Sequence, residues 1–174
     1  MYNVRAIANW FLDHAEKKAG EQLTAMKLQK LAYVSHGWYM AYDNPPLVDQ
    51  LVEAWKWGPV FRSLYVEFQH FGGEPISERA TLLDGGSLTT REIRIEDYHG
   101  IDHESVGAFL SNVWNVYGGY SAGELSDITH RAGTPWHQMF EQMGNRILPY
   151  TIIPNKMIKD HYKNLLDERT TATA

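Results

Sequence analysis

Apolar residues recur along this chain at two spacings. Val4, Ile7, Ala8, Phe11, Leu12 and Ala15 repeat as on one face of a helix, with Asn3 placed to cap its start and Gly20 just past its end. A second helix starts after Thr24 and runs through AMKLQKLAYVSHGWYMAY to the break at DNPP. On it Leu28, Leu31, Ala32, Ser35, Trp38, Tyr39 and Tyr42 share an arc of about 120°. Tyr33, Val34, Gly37, Met40 and Ala41 make much of the remaining circumference weakly apolar. A helix apolar on most sides must be covered on most sides, so the segment at about 25–42 is expected to be the buried hub of the fold.

The pattern then changes. In LVEAWKWGPV, Val52–Trp57 reads as a short strand that stops at Gly58, and Pro59 suits the first turn of a new helix. That helix would turn Val60, Phe61, Leu64, Tyr65, Phe68 and Phe71 inward and end at FGG. REIRIED alternates with period two and is expected to pair with the earlier strand, giving a small β element at about 52–57 and 91–96. Asp102 caps a helix carrying Val106, Phe109, Leu110, Val113, Trp114 and Tyr117, which Gly118 and Gly119 end. Thr134–Pro135 opens another, and Pro154 the last, with Met157, Ile158, His161, Leu165 and Leu166 on its faces. The predicted fold is mainly α, a compact helical domain around a central buried helix. No repeat or linker divides the chain, so one domain is expected over 1–167, followed by a small, polar, disordered tail at 168–174.

At 174 residues the chain is long enough to bury a proper core, and 44% apolar with 21% charged residues is a globular composition. Six Trp and ten Tyr are many for this length, and aromatics serve interfaces as well as cores. There is no Cys, which leaves no disulfide, thiolate metal site or Cys nucleophile and sits with a reducing cytoplasm. The first residues form no signal peptide, and no apolar run approaches the ~18 residues of a membrane span. With a net charge of −5 and no cationic cluster denser than Lys17–Lys18, neither a nucleic-acid nor a membrane partner is expected.

One motif invites an enzyme. GYSAG at 119–123 matches the G-x-S-x-G nucleophile elbow, and Asp127, His130 and His137 follow. An elbow needs a strand before the serine, whereas here a helix ends at the double glycine. Glu124, three residues after Ser121, makes a capping box instead, so a serine hydrolase on Ser121 is the remote alternative. His99 and His103 are separated by a helix start, and His130 and His137 straddle Gly133 and Pro135, so no metal or other cofactor site is expected. Gln29 and His36 lie almost in line on the hub helix. They read as polar residues satisfied at the edge of the core, the alternative being a seam that contacts a ligand. Trp55 and Trp57 fall on one face of the predicted strand with Lys56 on the other, either as core closure or as an aromatic hot spot.

The order of motifs adds a resemblance. LTAMKLQKLAYVSHGWYMAY, then PLVDQLVEAWKWGPVFRSLYVEFQHFGG, then LSDITHRAGTPWHQ is similar to the Panacea domain family of SocA-like antitoxins, which includes phage-associated GepA-like proteins. The most specific parts are Lys27–Leu31, Gly58–Pro59, Thr129–His130 and Pro135–Trp136. The resemblance implies an antitoxin that binds and neutralises a cognate toxin encoded nearby, in some cases in a prophage, with no catalytic residues and no cofactor. An adaptor that presents the toxin to a host protease is another mode within such a family, and a phage protein that binds a host factor without any toxin is a rival reading. Many antitoxins append a DNA-binding domain, for which no segment of this chain is set aside, so operator binding is not expected. The candidate partner surface is Lys27, Lys30, Trp55, Lys56, Trp57 and Arg62, the two hub lysines placed by helical geometry on an exposed face. The acidic net charge suits a basic partner.

Overall fold

Helix α2 (Ala25–Ala41) is the element on which the others pack. The computed structural model describes residues 1–19, 22–83, 89–100 and 102–172. Thr24 opens α2: its hydroxyl oxygen accepts the Lys27 backbone N–H at 3.3 Å, satisfying a donor that the first helical turn leaves free. From Leu28 to Ala41 every residue but Tyr39 is buried, so the hub is enclosed more completely than its apolar arc requires. Helices α1 (Val4–Ala19), α4 (His103–Tyr117), α5 (Ala122–His130) and α7 (Asn155–Ala172) lie around it. The closest approach is to α7, where the Tyr162 ring occupies the space a Cβ on Gly37 would need. Ser35, inside the core, returns its hydroxyl to the Leu31 carbonyl at 2.8 Å.

Strand β1 (Val52–Trp55) turns through Lys56 and Trp57 into β2 (Gly58–Phe61), antiparallel, with Trp55 opposite Gly58 and Val52 opposite Phe61. Residues 59–61, which the sequence places in the first turn of a helix, therefore belong to a strand. Gly58 has φ +102°, a conformation that a side chain would strain, and the chain reverses there. Pro59 faces Ala54, whose N–H points the other way, to the Thr151 carbonyl at 2.8 Å, so no ladder bond is asked of the proline. The helix, α3 (Arg62–Phe68), starts only at Arg62.

The expected pairing of 91–96 with the first strand does not form either. The second edge of β1 is taken by β5 (Ile152–Ile153), with Val52 opposite Ile153. Strand β4 (Thr90–Glu92) pairs instead with β3 (Thr81–Leu83) in a separate antiparallel ribbon. Ile93 and Ile95 then turn into the core. Asn9 of α1 pins this segment: its amide donates to the carbonyls of Ala80 and Ile93, both at 2.8 Å, and accepts the Ala80 N–H at 2.7 Å. The expected helix stop at Gly20 and residues 84–88 lie outside the described residues.

The later helices begin where their caps predict. Asp102 accepts the Ser105 N–H at 3.0 Å, and Thr134 accepts the His137 N–H at 3.3 Å with Pro135 first in α6 (Pro135–Gln142). Ser121 accepts the Glu124 N–H at 3.2 Å while the Glu124 carboxylate accepts the Ser121 N–H at 2.8 Å, the reciprocal pair of a capping box. Helix α7 continues through 168–172, where a disordered tail was expected, with Thr170 and Thr171 donating back to the Leu166 and Asp167 carbonyls. Among the described residues, no helix is long and apolar enough to cross a membrane.

Two substitutions test this packing. Gly37→Ala forces its methyl group into the Tyr162 ring and is expected to destabilise by roughly 1–3 kcal/mol, read from urea denaturation. Gly119→Ala, with open space around it, serves as the control. Ser121→Ala removes only the cap and is expected to cost about 1 kcal/mol; an unchanged denaturation midpoint would contradict the capping role.

Candidate functional site

The β1–β2 turn carries Trp57 into solvent at 64% exposure. A turn bearing so large an exposed ring needs anchoring from below, and its carbonyls supply the anchor points. Lys30 reaches out of α2 beneath the turn and donates from Nζ to the Trp57 carbonyl at 2.5 Å and the Pro59 carbonyl at 3.2 Å. Trp136 of α6 donates its indole N–H to the Trp55 carbonyl at 2.8 Å. From α5, His130 Nε2 lies 3.4 Å from the Lys56 carbonyl and Ser126 Oγ lies 3.4 Å from that of Trp57. Gln29 closes the base, its amide exchanging two 3.0 Å hydrogen bonds with the Phe61 backbone. Gly58 has no room for a side chain: a Cβ would stand 2.5 Å from Lys30 Nζ and 2.8 Å from His130 Cε1. Lys30 is 1% exposed, and burial pushes its ammonium down to about 7. A neutral amine still has two N–H donors for the two carbonyls, so the anchor survives loss of the proton.

The outer face is aromatic and cationic. Arg62 grips the buried Glu53 carboxylate through two bonds of 2.8 and 2.7 Å, and the Trp55 indole donates to the same group at 2.9 Å. The Arg62 hydrogen bonds hold the Glu53 carboxyl below its ordinary range, against the opposing effect of burial. The guanidinium lies 5.4 Å from the Trp55 ring centre and 4.7 Å from that of Tyr150. Tyr65 packs on Trp55 at 4.7 Å, and Lys56 Nζ sits 5.0 Å over Trp57. Tyr150 is 71% exposed at φ +60°, a conformation that disfavours a bulky residue. A cleft of about 380 Å³ lies between the hairpin and residues 147–150.

Of the sequence candidates, Trp55, Lys56, Trp57 and Arg62 come together here. Neither hub lysine lies on this outer face. Lys30 is buried rather than exposed, because the hairpin covers that face of α2 and offers carbonyls at the length of a lysine stem. Lys27 is half-buried, its ammonium bonded to the Gly118 carbonyl at 2.6 Å and 5.7 Å over Trp114, where it satisfies the end of α4. Trp57 stands in the turn, so the two tryptophans do not share a strand face. Tyr65, expected to face inward, is 40% exposed. Tyr150 and Leu148 were not anticipated, since they lie in a stretch with no period. Gly144–Asn145 and Pro149 mark turns there but not what they bring together.

The remaining polar candidates are placed as follows. His36 is fully buried, 3.0 Å from Asn155 Oδ1 and 3.4 Å from the Val48 N–H, and burial pushes its imidazole down. With Gln29 bonded to Phe61, both are satisfied core residues. His103 lies 3.2 Å from the Tyr2 hydroxyl and His137 3.4 Å from Glu141. Among the described residues, no three His, Cys, Asp or Glu side chains converge as metal ligands.

A family model described as "Antitoxin SocA-like, Panacea domain" matches residues 28–137. That span contains every residue of the hairpin anchor, from Gln29 to Trp136. The Antitoxin SocA of Caulobacter vibrioides (strain NA1000 / CB15N) is 32% identical over 165 residues, covering 92% of this chain and 82% of that protein. No solved structure matches the chain.

The Lys30 anchor has a pH signature. Between about 7 and the ordinary lysine range the unfolded chain holds a proton that the folded chain has released, so this residue's contribution to stability rises with pH. Lys30→Met keeps the stem and removes that titration. The wild-type melting temperature is expected to gain on that of Lys30→Met as pH rises from 7 to 10. A difference that does not change with pH would contradict the assignment.

Proposed function

The chain belongs to the SocA-like, Panacea-domain antitoxin family, and from that membership we propose that it is an antitoxin that binds and blocks a cognate toxin encoded nearby. It acts by contact rather than by chemistry, without a cofactor, in the cytoplasm. The observation that carries this reading is the anchored hairpin. Trp57 is held in solvent by a set of bonds to α2, α5 and α6, and it is joined by Trp55, Lys56, Arg62, Tyr65 and Tyr150 in one patch. Tryptophan, tyrosine and arginine are the residue types that dominate binding energy at protein interfaces. An aromatic already fixed in place also loses little freedom when a partner covers it. In this reading Lys30 supports the surface from behind, Lys27 holds the end of α4, and Trp55, Lys56, Trp57 and Arg62 meet the toxin. A serine hydrolase finds no support in a Ser121 hydroxyl committed to a helix cap.

Inducing each adjacent reading frame alone, then together with this chain, tests the proposal. One neighbour is expected to arrest growth, and co-expression to restore it with a co-purifying complex. The Trp57→Ala, Tyr150→Ala double variant should melt near the wild-type temperature, weaken the complex by about 2 kcal/mol or more and lose rescue. Rescue that persists in a strain lacking the host's ATP-dependent proteases supports blocking over delivery for degradation. Two non-toxic neighbours would overturn the proposal.

A further inference from the structure

The chemistry of the partner segment can be read from the patch, given the antitoxin reading on which this inference rests. The chain as a whole is acidic at −5, yet the aromatic face is not. Glu53, the carboxylate bonded to Arg62 and Trp55 beneath this face, is buried and already neutralised by the two Arg62 bonds. Lys56 is exposed, its ammonium over the Trp57 ring, and no carboxylate among the described residues pairs with it. Arg146, exposed and likewise without an ion-pair partner among the described residues, precedes Ile147 at the cleft wall. The cleft floor is apolar and aromatic, with the Arg62 guanidinium fixed between Trp55 and Tyr150. Tyr150 holds its left-handed backbone at the rim, and strain of that kind gathers at sites that contact other molecules.

We infer that the toxin segment seated on this face is acidic: an Asp or Glu carboxylate meets Lys56, and an apolar or aromatic side chain beside it enters the cleft between Trp55, Arg62 and Tyr150. This reverses the expectation drawn from net charge, because complementarity is decided by the charges at the contact and not by the total. An unpaired ammonium at the edge of an aromatic patch is a partial site for a carboxylate, completed when the partner arrives. A nucleic-acid strand could also stack on Trp57. It would need a run of cations along its phosphates, and this face shows Lys56 beside an Arg62 already held by Glu53, on an acidic chain.

The test uses the complex of this chain with the product of the toxic neighbouring frame. Lys56→Glu and Arg146→Glu change exposed side chains and should melt with the wild type. Each is expected to weaken the complex at low salt by about tenfold or more, chiefly through slower association, while Lys56→Arg stays near wild type. A charge reversal on the toxin's matching carboxylate should restore binding to Lys56→Glu. A complex that forms as tightly or more tightly with both Glu variants would overturn the inference and leave the antitoxin reading standing. If no neighbouring product binds, both fall. Binding of a labelled single-stranded oligonucleotide to the free chain, lost in Lys56→Glu, would also overturn it.

Discussion

Lys30 Nζ lies under the β1–β2 turn with the carbonyls of Trp57 and Pro59 as its acceptors, and the position of the turn follows from that contact. A lysine this buried is stable only when its donors are matched, and a tight turn with inward carbonyls is stable only when they are matched as well. Each solves the other's problem. The same geometry explains Gly58, since the ammonium and the His130 ring occupy the space of any side chain there. Trp136 and His130 extend the arrangement by taking the two preceding carbonyls of the hairpin, with their rings packed 4.1 Å apart.

The hub helix thus works on two sides. Toward α7 it is stripped to glycine at position 37 so that the Tyr162 ring can close on it. Toward the hairpin it carries Gln29 and Lys30, polar residues placed in an apolar environment because backbone groups await them. Gln29, Lys30, Gly58, His130 and Trp136, all within the motifs that carry the family resemblance, hold the hairpin from behind its exposed aromatic and cationic side chains.

The helical frame was legible in the sequence because it rests on local signals. Thr24, Asp102, Ser121 and Thr134 all cap as their spacing predicts. The β element was legible only in part. Strand β1 was evident, but its partners were not: β5 lies about a hundred residues away, and residues 58–61 carry the Gly-Pro that equally suits a helix start. The aromatic face was half visible for the same reason. Trp55, Lys56, Trp57 and Arg62 are near neighbours in sequence, whereas Tyr150 reaches them only through the return of β5. Lys30 was misplaced because helical geometry says which way a side chain points and not what will be folded over it.

The most direct test of this account is amide hydrogen exchange across residues 52–61 in the wild type and in Lys30→Met. The hairpin is expected to exchange at least about tenfold faster in the variant while the interior of α2 stays protected, because the turn opens locally once its anchor is gone. Equal protection of the hairpin in both proteins would show that Lys30 does not hold it.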